Sequence, residues 1–374
     1  MESSWSEKIK DRWWSLRKNR PVRILLLCVL LLSVVLAGLY AGLSYYGKLP
    51  WTGTPVTTIA DQPTTIQISA DVSAELPRVL DGVTVASQAS NRFPIAVMIE
   101  NLVDIRPQFG LSAAGVVYEA LAEGGITRFM AVYTTADAIA KVGPVRSARH
   151  YFVDWAEEYG GIYAYVGGSP QALGVTDSSD YITDLNQFYN AAYYYRDAAI
   201  SAPHNLFSSS ELLNYALRDL ALDTQPGSYQ PYVFKTDPPS GDWPNVVASI
   251  QLSYSTADYA VEWRYDPTTN SYLRWNGGQA HFDANTNTQL SARNIVVQRV
   301  ETTVLEAATG RLDMVTRGEG DALLFQDGEV KVGKWSKPER GQRTVFTDAT
   351  GSEWQFNTGP TWIEIVPTDT SVTY

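Results

Sequence analysis

The sequence predicts an α+β protein: an N-terminal transmembrane helix, then an α/β domain, then a mostly-β domain. Three observations carry this. Residues 24–46 form an apolar stretch without one charge. Four short apolar runs lie between Ile95 and Val166, with helical spacing after the third. Beyond residue 246 the runs alternate apolar with polar residues and are separated by hairpin signals.

Ile24 to Tyr46 is long enough to cross a hydrocarbon core of about 30 Å at ~1.5 Å per residue. The preceding tail, 1–23, carries Lys8, Lys10, Arg12, Arg17, Lys18, Arg20 and Arg23 against Glu2, Glu7 and Asp11. That bias keeps the tail in the cytoplasm and sends the bulk of the chain outside, as a single-pass protein of the cell membrane. Val35-Leu36-Ala37 also suits signal cleavage after Ala37, but the apolar run continues past it, which favours an uncleaved anchor. The lipid bilayer is thus the first expected partner. Cys28 follows Leu27 rather than a small residue, so it makes a poor lipidation site.

Composition excludes several classes. Hydrophobic residues at 45% and charged residues at 18% describe a folded chain. Net charge is −11, and removing residues 1–48 leaves 21 basic against 37 acidic residues, or −16. Such a surface repels phosphate polymers, so nucleic acid is not an expected partner. Cys28 is the only cysteine, so no disulfide braces the exterior.

Residues 47–91, rich in Thr, Pro and Ser, read as a spacer, with folded sequence starting near Arg92. Ile95–Ile99, Val116–Ala120, Phe129–Tyr133 and Ile162–Val166 read as strands covered on both faces. Val145–Tyr159 reads as a helix, and Ser208-Ser-Ser-Glu211 as a capping box opening a second helix through Leu220. This gives an α/β domain over 92–224. A Pro- and Gly-rich linker, 225–245, leads into a β-rich domain over 246–374 whose last strand, Trp362–Val366, returns to close the sheet.

The polar residues suggest an anion site. Arg146, Ser147 and Arg149 fall in the first turns of the expected helix, where backbone N–H groups already attract negative charge. Two arginines there need a counter-ion. Glu119 and Glu123 could supply it as a structural network, the favoured reading, or a ligand carboxylate or phosphate could. Arg128 belongs to the same stretch. Gly167, Gly168 and Ser169 follow a strand directly, at the end where open α/β sheets bind ligands. They lack the lysine and spacing of a P-loop, and Ser169 reads as a helix cap before it reads as a nucleophile. His204 could act as a general base oriented by Asp154, Asp184 or Asp197, with Glu119 or Glu123 as acid. A hydrogen-bonded structural histidine is the commoner case. Three dispersed histidines offer no metal site, no cofactor is implied, and Asp283-Ala-Asn-Thr-Asn287 reads as a hairpin turn.

Longer motifs resemble a known family. Arg106-Pro-Gln-Phe-Gly-Leu-Ser, Val117-Tyr-Glu-Ala-Leu-Ala-Glu-Gly-Gly-Ile-Thr-Arg-Phe, Gly143-Pro-Val-Arg-Ser-Ala-Arg and Ala202-Pro-His-Asn-Leu are similar to the first half of the YerB-like bacterial envelope proteins. Tyr272-Leu-Arg-Trp-Asn-Gly-Gly-Gln-Ala-His-Phe-Asp283 and Asp327-Gly-Glu-Val-Lys-Val-Gly-Lys-Trp335 resemble the second half. The resemblance implies a two-part domain of unknown function outside the membrane, often lipid-anchored; here a span replaces the lipidated cysteine. The expectation is a protein that binds an anionic ligand, a cell-wall fragment or an envelope partner. The alternative is a hydrolase or transferase on an envelope substrate.

Overall fold

The computed structural model describes residues 74–134, 138–239, 243–244 and 246–374. The basic tail, the span Ile24–Tyr46 and most of the spacer lie outside the described residues. Among the described residues no helix is long and apolar enough to cross a membrane.

The fold starts earlier than Arg92. β1 (Glu75–Pro77) pairs antiparallel with β2 (Thr84–Ala86). Between them Leu80 enters the core at 3% exposed, and Asp81 accepts from Arg78 Nε at 2.8 Å. Burial of that side chain, worth roughly 1.5–3 kcal/mol, and a bond from Gly359 N to Asp81 O at 2.8 Å help hold the end of the spacer on the domain.

The four apolar runs are strands: β3 (Ile95–Glu100), β4 (Val116–Leu121), β5 (Thr127–Tyr133) and β6 (Ile162–Tyr165). Every residue in them is buried, which is why they read as unbroken apolar runs. β7 (Thr183–Asn186) adds a further strand. The helices are few and short: α1 (His150–Ala156), α2 (Pro170–Ser178) and α3 (Ser210–Asp219). The described residues therefore form a mostly-β fold in two parts. In α3 the cap is Ser209, whose side chain accepts from Leu212 N at 3.2 Å, while the Ser208 hydroxyl donates to Tyr193 O at 2.8 Å.

The helix expected from Val145 begins only at His150. Residues 144–149 are extended because sheet-like hydrogen bonds on both flanks claim their backbone groups, as described below. Arg146 and Ser147 therefore sit in no helical first turn.

One sheet joins both parts. Its ten strands run Val345–Asp348, Glu329–Lys337, Gly318–Gln326, Asn294–Val300, Thr361–Pro367, β4, β5, β3, β6, β7. The returning strand does not close a separate β sheet. Thr361–Pro367 lies parallel to Asn294–Val300 on one side and to β4 on the other. A smaller sheet from the second part orders Gln279–Ala280, Ser271–Asn276, Ala260–Asp266, Ser249–Ser253 and Val372–Thr373. Ala260–Asp266 alternates, with Val261, Trp263 and Tyr265 inward. Within the expected linker, Val233–Lys235 pairs with Gln355–Asn357.

Candidate functional site at the carboxyl edge of the sheet

β3 and β6 run parallel and pair only from Ile95–Val97 against Ile162–Ala164. Beyond that point they part, and residues 144–149 run between them. Towards β3, Arg146 N donates to Met98 O at 2.9 Å and Glu100 N donates to Pro144 O at 3.0 Å. Towards the chain leaving β6, Val166 N donates to Arg146 O at 3.1 Å and Ala148 N donates to Gly167 O at 3.0 Å. This inserted segment lies at the carboxyl ends of parallel strands, where open sheets form crevices.

Two charged groups flank it. In the first, Glu100 ends β3 and holds both Arg146, with Nε 3.1 Å from Oε1, and His204, with Nδ1 2.8 Å from Oε2. The Arg146 N–H is not aimed at the carboxylate, so the buried Nε makes no hydrogen bond among the described residues. In the second, Glu123 pairs with Arg149 and lies 3.7 Å from Arg128. Arg128 Nη1 also donates to Ser147 O at 2.8 Å. Burial and the neighbouring Arg149 charge bring the Arg128 guanidinium down to about 10. Burial opposes ionisation of Glu123, but the Arg149 hydrogen bond and both arginine charges hold its carboxyl below the usual range.

Gly167, Gly168 and Ser169 border the same segment. Gly167 has φ +57°, a backbone conformation that favours glycine. Ser169 caps α2 by accepting from Ala172 N at 3.2 Å. His204 is oriented by Glu100 rather than by an aspartate. Asp154 accepts from Thr316, Asp197 from Lys141, and Asp184 from Asn186 N.

Glu119 stands apart from these groups. It is fully buried and bonded to Arg274, which also donates to Glu364 Oε1 at 2.8 Å. Thr127 Oγ1 at 2.5 Å and Asn101 Nδ2 at 3.3 Å donate to Glu119 as well. Glu364 accepts from Trp263 Nε1 and Tyr254 OH, both at 2.8 Å. Aromatic rings enclose the guanidinium, with Trp362 at 4.5 Å and Trp263 at 5.0 Å. Burial pushes the Glu119 carboxyl up to about 7, against the pull of Arg274. Its counter-ion is Arg274 of the second part, not Arg146 or Arg149, so it belongs to the core joining the two parts. Sequence reasoning missed Glu100 and Arg274. The signal for Glu100 was a carboxylate closing an otherwise apolar strand. Among the described residues no acidic, His or Cys cluster could hold a metal ion.

Comparison with known proteins agrees with this two-part build. Residues 80–223 match the N-terminal domain, and residues 250–363 the C-terminal domain, of a protein family of unknown function, DUF3048. The chain is 31% identical over 301 residues to "Putative lipoprotein YerB" of Bacillus subtilis (strain 168), covering 79% of this chain and 88% of that protein. The crystal structure of YerB from Bacillus subtilis superposes with a TM-score of 0.70 at 30% identity, over 80% of this chain and all of that one. The chain belongs to the YerB-like family.

Proposed function

We propose that this is an envelope protein, held at the outer face of the cell membrane by Ile24–Tyr46, that binds an anionic ligand at the inserted segment 144–149. The naming of its Bacillus subtilis relative as a lipoprotein supports a membrane-attached, extracytoplasmic setting. One observation carries the ligand reading. Arg146 faces a carboxylate it does not properly hydrogen-bond, beside two further arginines. A ligand carboxylate or phosphate could take up the donor capacity that Glu100 leaves unused. Cell-wall fragments carry such carboxylates. Calorimetric titration of the full chain with muropeptides should show saturable binding, and Arg146→Ala should weaken it about tenfold, or ~1.4 kcal/mol. Equal affinity in the variant would overturn the reading.

The His204–Glu100 pair supports a second reading, since a general base is held by a carboxylate in this way. An envelope hydrolase or transferase would then lose turnover of cell-wall fragments in His204→Ala. Absence of turnover in the unaltered chain retires that reading.

A further inference from the structure

We infer that a second ligand site, independent of the arginine segment, lies in a cleft between the loop Val103–Pro107 and the hairpin residues 276–287, and that it takes an acetamido sugar. The cleft has a volume of about 350 Å³, within the range of roughly 300–1,000 Å³ typical of small-molecule sites.

Its floor contains a buried acceptor without a donor. Asn276 is 3% exposed, and among the described residues nothing donates to its Oδ1. The amide cannot simply be turned round. Asn276 Nδ2 donates to Asn101 Oδ1 at 3.3 Å, and that same oxygen accepts from Arg106 Nε at 2.9 Å. Arginine only donates, so Arg106 fixes the Asn101 oxygen as an acceptor, and Asn276 must present its nitrogen there. The backbone is held too. Gly277 and Gly278 have φ +60° and +74°, and a Cβ on Gly277 would come within 2.8 Å of Asp258 O. A buried amide oxygen left unpaired is destabilising, and a ligand N–H would relieve that.

Arg106 lies over the Tyr259 ring at 5.1 Å and donates to Asn101 O at 3.2 Å and Asp258 O at 2.8 Å. With Nε also committed, two of its five N–H donors remain for an acceptor. His281 at the floor carries no charge to repel or attract a ligand. Arg274 Nε donates to its Nδ1 at 3.1 Å, so its Nε2 donates to Gln108 Oε1 at 2.6 Å, the pattern of a neutral ring. Val103 and Phe282, at 38% and 37% exposed, form an apolar rim with Pro107 and Ala280.

An acetamido group matches these features together. Its N–H donates to Asn276 Oδ1, its carbonyl accepts from Arg106, and its methyl meets Val103 and Pro107, while the sugar ring covers Phe282. A carboxylate cannot donate to Asn276, which separates this site from the anion site.

The test is saturation-transfer NMR and calorimetry on the full chain, with N-acetylglucosamine and glucose as probes. N-acetylglucosamine should bind saturably, and glucose about tenfold more weakly. Asn276→Ala should lower N-acetylglucosamine affinity about tenfold at unchanged circular dichroism. Phe282→Ala, at the exposed rim, should lower it about fivefold and carries the test if Asn276→Ala does not fold. The proposal is overturned by absence of saturable N-acetylglucosamine binding, by equal affinity for glucose, or by unchanged affinity in Phe282→Ala.

Discussion

Among the described residues, the acid–arginine cluster around Arg274 lies in the core and the one around Arg146 at the edge of the large sheet. Around Arg274 two carboxylates, two aromatic donors and a threonine hydroxyl converge, and the arginine and both carboxylates are 0% exposed. Around Arg146 a single carboxylate is shared with a histidine, and the Arg146 and His204 side chains stay 21% and 25% exposed. In the core cluster every guanidinium nitrogen has a partner and no charged side chain reaches solvent, which suits it to hold the two parts together. The edge cluster is partly solvated, and its buried Arg146 Nε faces Glu100 without a hydrogen bond. Arginine and glutamate content alone does not distinguish the two clusters; burial and the partnering of each guanidinium nitrogen do.

Experiments on this contrast rank by expected effect. Arg274→Met strands two buried carboxylates and should cost about 3–5 kcal/mol in urea unfolding. A loss under ~1 kcal/mol would mean the core cluster is not the joint between the parts. Glu119→Gln should change the pH dependence of stability. Because burial raises the folded pKa to about 7 from 4.5, the folded state keeps its proton longer. The contribution of Glu119 is therefore full below about 4.5 and falls as pH rises through about 7. Relative to wild type, the variant should gain urea resistance as pH rises from about 4.5 to about 7. Parallel curves would remove Glu119 from the titration. Arg146→Ala should cost the least, about 1 kcal/mol or less of stability, because its ion pair is partly solvated. A loss as large as that of Arg274→Met would erase the distinction between the clusters.

Much of the fold is legible in the sequence because its signals are local. Ile95–Ile99, Val116–Ala120, Phe129–Tyr133 and Ile162–Val166 are strands, and Asp283–Asn287 turns a hairpin between Phe282–Asp283 and Thr288–Gln289. The arginines, Glu123 and the Gly167–Ser169 turn do meet, since all lie at strand ends on one edge of the sheet. What stayed hidden depends on pairing across long separations. Glu119 and Arg274 are 155 positions apart, and His204 and Glu100 are 104 apart. Only the sheet order sets such partners. The helix expected at Val145 failed for the same reason: its apolar spacing is real, but β3 and the residues after β6 claim its backbone first.

The insertion of Thr361–Pro367 between β4 and Asn294–Val300 has a consequence for assembly. Neither neighbour has its backbone edge covered until this late segment arrives, so the central pairing is non-local and closes last among its contacts. The two family-sized halves are therefore poor candidates for separate production. A chain ending before Thr361 would present two long apolar strand edges at once, an invitation to self-association. During synthesis those two edges stay uncovered until Thr361–Pro367 is delivered.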